Sequence, residues 1–184
     1  MFTLLLISNV MSILKIKNAE AVFARKDTLT GALNIRGLKE VFQSLVDGKL
    51  LKKPFSVIFF DLDNFKQVND KLGHKEGDRV LKIVGNVIME SIRDRDIFAR
   101  VGGDEFLLFF PEMAEKTAKK GILLIKNQLL REMKYNEWPV TFSMGFVTFH
   151  KLPASIEDII KSADETMYLA KNSGKNKIVF KTHK

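Results

Sequence analysis

The run Phe55-Ser56-Val57-Ile58-Phe59-Phe60 constrains the fold most. It is a short, nearly unbroken apolar stretch, entered after Pro54 and stopped at Asp61. A helix of that length would be too short to hold together, so the run reads as a strand buried on both faces. Such a strand needs a layer on each side. The rest of the chain must therefore supply helices for both.

The remaining pattern supplies them. Leu38, Val41, Phe42 and Leu45 repeat at helical spacing within residues 35–47, and Asp47-Gly48 ends that helix. Phe65 to Leu72 is a short helix stopped by Gly73, and a long helix with the stripe Val80, Ile83, Val84, Val87 and Ile88 is expected after Gly77. Two apolar runs, 97–101 and 106–110, flank Gly102-Gly103. That pair suits a two-residue hairpin turn because glycine accepts positive φ. A helix over 113–134, a strand over 140–149, a helix over 155–172 closed by Ser173-Gly174, and a strand over 177–181 complete the order. The expected fold is mixed α+β, a mostly antiparallel five-stranded sheet with a central hairpin, flanked by helices.

Composition excludes several functions. The chain of 184 residues is 46% hydrophobic and 28% charged, enough apolar material for one real core. Its net charge of +8 favours anionic partners, or serves solubility alone. The basic residues are scattered and no nucleic-acid-binding pattern accompanies them, so no nucleic-acid partner is expected. With no cysteine there are no disulfides or thiolate metal sites, which fits a cytoplasmic protein.

Residues 2–14 are mostly apolar but fall short of the roughly 20 that span a bilayer. Lys15 and Lys17 follow, as at the cytoplasmic end of a truncated membrane helix. Leu4, Ile7, Met11 and Leu14 also fit a short a/d seam. Residues 1–26 are therefore expected to be a helical dimerising or signalling linker, with membrane contact open, and 27–184 a single domain.

Two acidic features stand out. Asp61 and Asp63 sit where the buried strand ends, and Asp104 and Glu105 sit at the hairpin tip. Such carboxylates are hard oxygen ligands suited to Mg²⁺ or Mn²⁺. Brought together they repel unless a cation lies between them. Read alone, such residues are more often solvated turn acids than metal ligands.

Four segments stand in order along the chain: Asp27-Thr28-Leu29-Thr30-Gly31 through Arg36; Phe60-Asp61-Leu62-Asp63-Asn64-Phe65-Lys66 through Asn69-Asp70, Gly73-His74 and Gly77-Asp78; Arg100-Val101-Gly102-Gly103-Asp104-Glu105-Phe106; and Ala163-Asp164-Glu165 through Tyr168, Ala170-Lys171 and Gly174-Lys175-Asn176. Together, and in register, they resemble the GGDEF family of diguanylate cyclases. One departure is Ile35, where the family usually has the first of two arginines.

The resemblance implies a nucleotidyl-cyclase, palm-type fold and the joining of two GTP into cyclic di-GMP by a homodimer. Asp61, the backbone of Leu62, Asp104 and Glu105 would hold the metal, and Asp104 would help deprotonate the attacking hydroxyl. Arg100 would serve the phosphates or the transition state. Gly102 and Gly103 would let the nucleotide approach closely. Asn69 and Asp78 would read guanine, whose N1–H and N2–H₂ donors suit a carboxylate. Asp78 after Gly77 also reads as a helix N-cap. Lys66, Lys171 and Lys175 would grip phosphates, though each alone is an ordinary surface lysine. Arg93 and Asp96 match the family's R-x-x-D inhibitory site for the product; Arg-Asp-Arg-Asp equally resembles a charged helix end. An inactive module sensing GTP or cyclic di-GMP is the competing reading.

Overall fold

The computed structural model describes residues 24–51, 54–113 and 115–183. The apolar N-terminal stretch, with its expected helix and seam, lies outside the described residues. The elements run α1 (Ile35–Asp47), β1 (Phe55–Asp63), α2 (Phe65–Leu72), α3 (His74–Ser91), β2 (Ile97–Arg100), β3 (Glu105–Phe110), α4 (Glu115–Tyr135), β4 (Thr141–Phe149), α5 (Ile156–Asn172) and β5 (Ile178–His183).

Among the described residues the strands form one five-stranded sheet in the order β2-β3-β1-β4-β5. β1 pairs antiparallel with β3 and β4, β2 pairs antiparallel with β3, and only β4 and β5 run parallel. The expected mixed sheet is present, with one correction. The β2–β3 hairpin lies at one side, and β1 occupies the middle. Local pattern tells which strands turn into each other, not which one lies innermost. The burial of all nine β1 residues agrees with its central place.

The pleat sends alternate residues to two helical layers. Ile58, Phe60 and Leu62 of β1 join Phe106, Leu108, Phe142, Met144 and Phe146 under α2, α3 and α4. Phe55, Val57 and Phe59 join Leu107, Phe109, Val147 and Phe149 under α1 and α5. Gly145 lets α5 ride directly on β4, since a Cβ there would fall 2.3 Å from the Ala163 carbonyl oxygen.

Helix α3 starts at His74 and carries Gly77 inside its first turns. Gly77 is small because Asn69 packs on it, its Oδ1 only 1.9 Å from where a Cβ would sit. Asp78 is thus an interior residue of α3 and not its N-cap, which is Gly73 with φ +87°. The outer strand β2 is bordered by Leu33: its N–H donates to the Phe98 carbonyl at 2.9 Å, and the Arg100 N–H donates to the Leu33 carbonyl at 2.8 Å. No helix of the described residues is long and apolar enough to cross a membrane.

Candidate active site

The site forms where the central strand ends. Alternation along β1 sends the Asp61 and Asp63 side chains toward α5 and buries the Leu62 side chain in the opposite layer. Leu62 therefore offers only backbone to this side. Its N–H donates to the Asp104 carbonyl at 3.3 Å. The N–H and carbonyl of one strand residue point to the same edge, so the Leu62 carbonyl also faces the hairpin loop.

Asp61 stands directly opposite Glu105 in the β1–β3 register. Lys171, in the last turn of α5, places Nζ 2.8 Å from Asp61 Oδ2. Burial pushes the Asp61 carboxyl above its usual range, and the Asp104 and Asp63 charges push the same way; Lys171 opposes them without reversing the shift. Burial likewise raises Glu105, reinforced by Asp61, Asp164 and Asp104. Burial disfavours the Lys171 ammonium, yet the facing acids outweigh it and raise its pKa. The arrangement is a set of crowded acids held by one lysine.

Asp63 differs. It is 3% exposed and accepts from Thr141 Oγ1 and Ser143 Oγ, both at 2.8 Å, and from the Asn176 N–H at 3.0 Å. With its lone pairs engaged, it belongs to the framework.

The hairpin loop is shaped without positive φ at Gly102 or Gly103, which corrects the expected turn type. Residues 101–104 form a wider loop, closed by the Val101 N–H on the Glu105 carbonyl at 2.9 Å. Gly102 instead leaves room for a carboxylate: a Cβ would sit 2.5 Å from Glu105 Oε2 and push that flexible side chain aside. Gly103 has nothing within 4 Å of that position.

Arg100 ties this loop down. Its Nη2 and Nε donate to the Gly103 carbonyl at 2.7 and 3.1 Å, and its Nη1 donates to both Asp27 oxygens at 3.1 Å. In this arrangement its donors face the loop and the opening motif, and it is not part of the cleft lining.

A cleft of about 560 Å³ opens beside the acids, lined by Asp61, Leu62, Asp104, Lys171, Lys175 and, on α2, Phe65 and Lys66. Helix α2 begins there with Asn64 in a left-handed conformation and no side-chain cap. The Asn64 side chain donates instead to the Pro139 carbonyl at 3.1 Å. The Gln67 N–H donates to the Asn64 carbonyl at 2.9 Å, and no side chain caps the helix start, where Phe65 and Lys66 line the cleft, a natural anion seat. Nothing in the sequence signals this seat, because an Asn ahead of a helix ordinarily accepts from its first-turn amides, and the partner that occupies Asn64 lies 75 residues away.

Asn69 abuts Gly77, the residue before Asp78, where α2 meets α3. Neither Asn69 nor Asp78 lines the cleft itself. Arg93 and Asp96 close on each other in the turn after α3, with the Arg93 N–H donating to Asp96 Oδ2 at 3.0 Å and Nε donating to the same oxygen at 2.9 Å.

Among the described residues no three acid or histidine side chains converge into a ready ion cage. The donor set still suits a hard divalent ion. Asp61 and Glu105 are in register with raised pKa values, Asp104 and the Leu62 carbonyl adjoin them, and a cation, Lys171, already sits against Asp61.

The family profile described as diguanylate cyclase, GGDEF domain, matches residues 24–177. The chain belongs to the GGDEF domain family. Among curated relatives, this GGDEF domain is 35% identical over 164 residues to the cyclic di-GMP phosphodiesterase NbdA of Pseudomonas aeruginosa, covering 85% of this chain and 20% of that protein. It is 32% identical over 157 residues to the diguanylate cyclase DosC of Escherichia coli, covering 83% of this chain and 34% of that one. The chain thus spans only a fifth to about a third of these relatives. In fold, it superposes on the coiled coil and GGDEF domain of DgcB from Caulobacter crescentus in complex with c-di-GMP, with TM-score 0.77, 23% identity and 94% of each chain covered. That likeness supports the palm-type cyclase fold of this GGDEF domain.

Proposed function

We propose that this domain is a diguanylate cyclase that condenses two GTP into cyclic di-GMP and two pyrophosphates. One observation carries the reading: Asp61 and Asp104 line a cleft that also takes in the start of α2, and Glu105 stands opposite Asp61 in register. Acids on one wall and an anion seat on the other match a magnesium-bound triphosphate. DosC, a relative named as a diguanylate cyclase, supports the same reading.

The residues divide the work. The α2 amides, Lys66 and Lys175 hold the triphosphate, and Lys171 turns from Asp61 toward a phosphate oxygen. Asp61, the Leu62 carbonyl, Asp104 and Glu105 would hold Mg²⁺ or Mn²⁺, which when bound neutralises triphosphate charge and stabilises the attacking and leaving oxygens. Asp78 accepts from guanine N1–H and N2–H₂, with Asn69 alongside; adenine lacks that donor pair. Asp104 helps draw the proton from the 3′-hydroxyl. Arg100 acts by holding the Gly103 carbonyl and thus the loop that carries Asp104.

Each cleft holds one GTP, so two subunits meet antiparallel. Each 3′-oxygen forms a bond to the α-phosphorus of the partner's GTP, and the bond from that phosphorus to the bridging oxygen breaks, releasing pyrophosphate. Positioning two bound nucleotides is the main rate gain. Product binding at Arg93 and Asp96 supplies feedback.

A second reading, a GTP- or cyclic di-GMP-sensing module without turnover, is favoured by NbdA, a relative named for phosphodiesterase activity. The intact Asp104 and Glu105 favour synthesis. Incubating the purified chain with GTP and Mg²⁺ across protein concentrations, with chromatographic detection of cyclic di-GMP, tests both. Product whose specific rate rises with concentration is expected; GTP binding without product at any concentration selects the sensing module.

A further inference from the structure

Asp63 is the strand-end acid that the proposed chemistry leaves without a task. Two of its three donors, Thr141 and Ser143, belong to β4, which secures Asp63 to the sheet. The third is the N–H of Asn176, in the loop between α5 and β5. The same asparagine is held from its other flank. Lys126 of α4 donates from Nζ to the Asn176 carbonyl at 2.9 Å and to its Oδ1 at 2.7 Å. Asn176 is therefore gripped through its N–H by one charged residue and through both its oxygens by another.

What the grip holds is the backbone next door. Lys175 and Asn176 are consecutive non-glycine residues in the left-handed region, with φ +58° and +49°. Such a pair persists only where its surroundings enforce it. Lys175 lines the cleft, whereas Lys126 does not. A sheet acid and a helix lysine thus converge on the one residue that fixes where Lys175 emerges.

We propose that Asp63 and Lys126 are positioning residues for the phosphate grip: by clamping Asn176 they hold Lys175 at the cleft. The proposal rests on the assignment of the cleft as the triphosphate seat. It explains why the strand ends in two acids separated by one residue. The first faces the chemistry, and the second anchors the opposite wall. It also gives a role to Lys126, which lies in none of the recognised segments.

The test measures binding of 3′-deoxy-GTP with Mg²⁺ by calorimetry, since that nucleotide lacks the attacking hydroxyl and does not turn over. Lys126→Met is expected to raise Kd roughly fivefold, the order of one net hydrogen bond. In a Lys175→Ala background the same substitution is expected to change Kd by less than about twofold, because the two residues act in series. Lys126→Arg should keep most of the affinity. Asp63→Asn, which exchanges one acceptor oxygen for a donor, should show the same dependence on Lys175. Equal weakening by Lys126→Met in both backgrounds, or no weakening in either, overturns the inference while the cleft assignment stands. If Lys175→Ala alone leaves affinity unchanged, the cleft assignment fails, and the inference with it.

Discussion

Asp61 and Glu105 face each other across the central pair of strands, both with carboxyl groups raised above their ordinary range. A buried acid and a half-buried one in register oppose each other's ionisation, so they are a cost to the ligand-free fold.

Glu105→Gln keeps the shape and removes one charge. Cyclic di-GMP synthesis should fall by at least about 100-fold, as loss of a group that stabilises transition-state charge does. Metal-free thermal unfolding should move up by roughly 2 °C, since the Asp61 carboxylate loses its repelling partner. Added Mg²⁺ should stabilise wild type more than the variant. Scanning calorimetry with and without Mg²⁺, beside a product assay, checks all three; unchanged synthesis would remove Glu105 from the site.

Gly102 and Gly103 should separate in their tolerance of a methyl group. Gly102→Ala drives a Cβ to 2.5 Å from Glu105 Oε2, whereas Gly103→Ala meets nothing within 4 Å. The displaced carboxylate should cost Gly102→Ala about tenfold or more in kcat, following the sensitivity of catalysis to small misplacements. Both variants should remain folded by circular dichroism, and equal activities would show that the spacing is irrelevant.

Asp27 should make the fold acid-sensitive. Burial raises its carboxyl, but the hydrogen bonds from Thr30 and then Arg100 outweigh that and hold it below the ordinary range. A carboxylate with a depressed folded pKa stabilises the fold above its unfolded pKa, and the contribution fades as pH falls through the folded value. Wild-type stability should therefore drop from about pH 4 downward. Asp27→Asn should start less stable at neutral pH and lose less on acidification. Denaturant midpoints between neutral pH and pH 3 read this directly.

Arg93→Ala should leave synthesis near wild type and abolish inhibition by added cyclic di-GMP, measured as initial rate against product concentration. Asp96→Ala should also destabilise the fold, by roughly 1–2 kcal/mol, because it leaves the Arg93 N–H and guanidinium without their acceptor. Equal product inhibition of wild type and Arg93→Ala would place the feedback site elsewhere.

Much of this architecture was legible because local and global signals agree. The bounds of α1 and α2 follow from apolar spacing and from Asp47-Gly48 and Gly73. What the sequence concealed depends on distant neighbours. Gly77 reads as a helix boundary, yet it sits within α3 because Asn69 needs its space. Gly102 reads as a turn residue, yet it makes room for Glu105. Arg100 reads as serving the phosphates or the transition state; its bonds to Asp27 and Gly103, 73 and 3 residues away, carry no signal of their own in the sequence. Asp61 and Asp63 read as equivalent acids; only the partners on β4 and after α5 distinguish them.

Leu33 closes the outer rim of the sheet by exchanging backbone bonds with Phe98 and Arg100. A chain adding itself to the sheet along the four-residue β2 would first have to displace that bridge. Strand addition at this rim would therefore compete with the opening segment of the domain, so the pairing of two copies proposed above is expected to use helices, loops and side chains there instead.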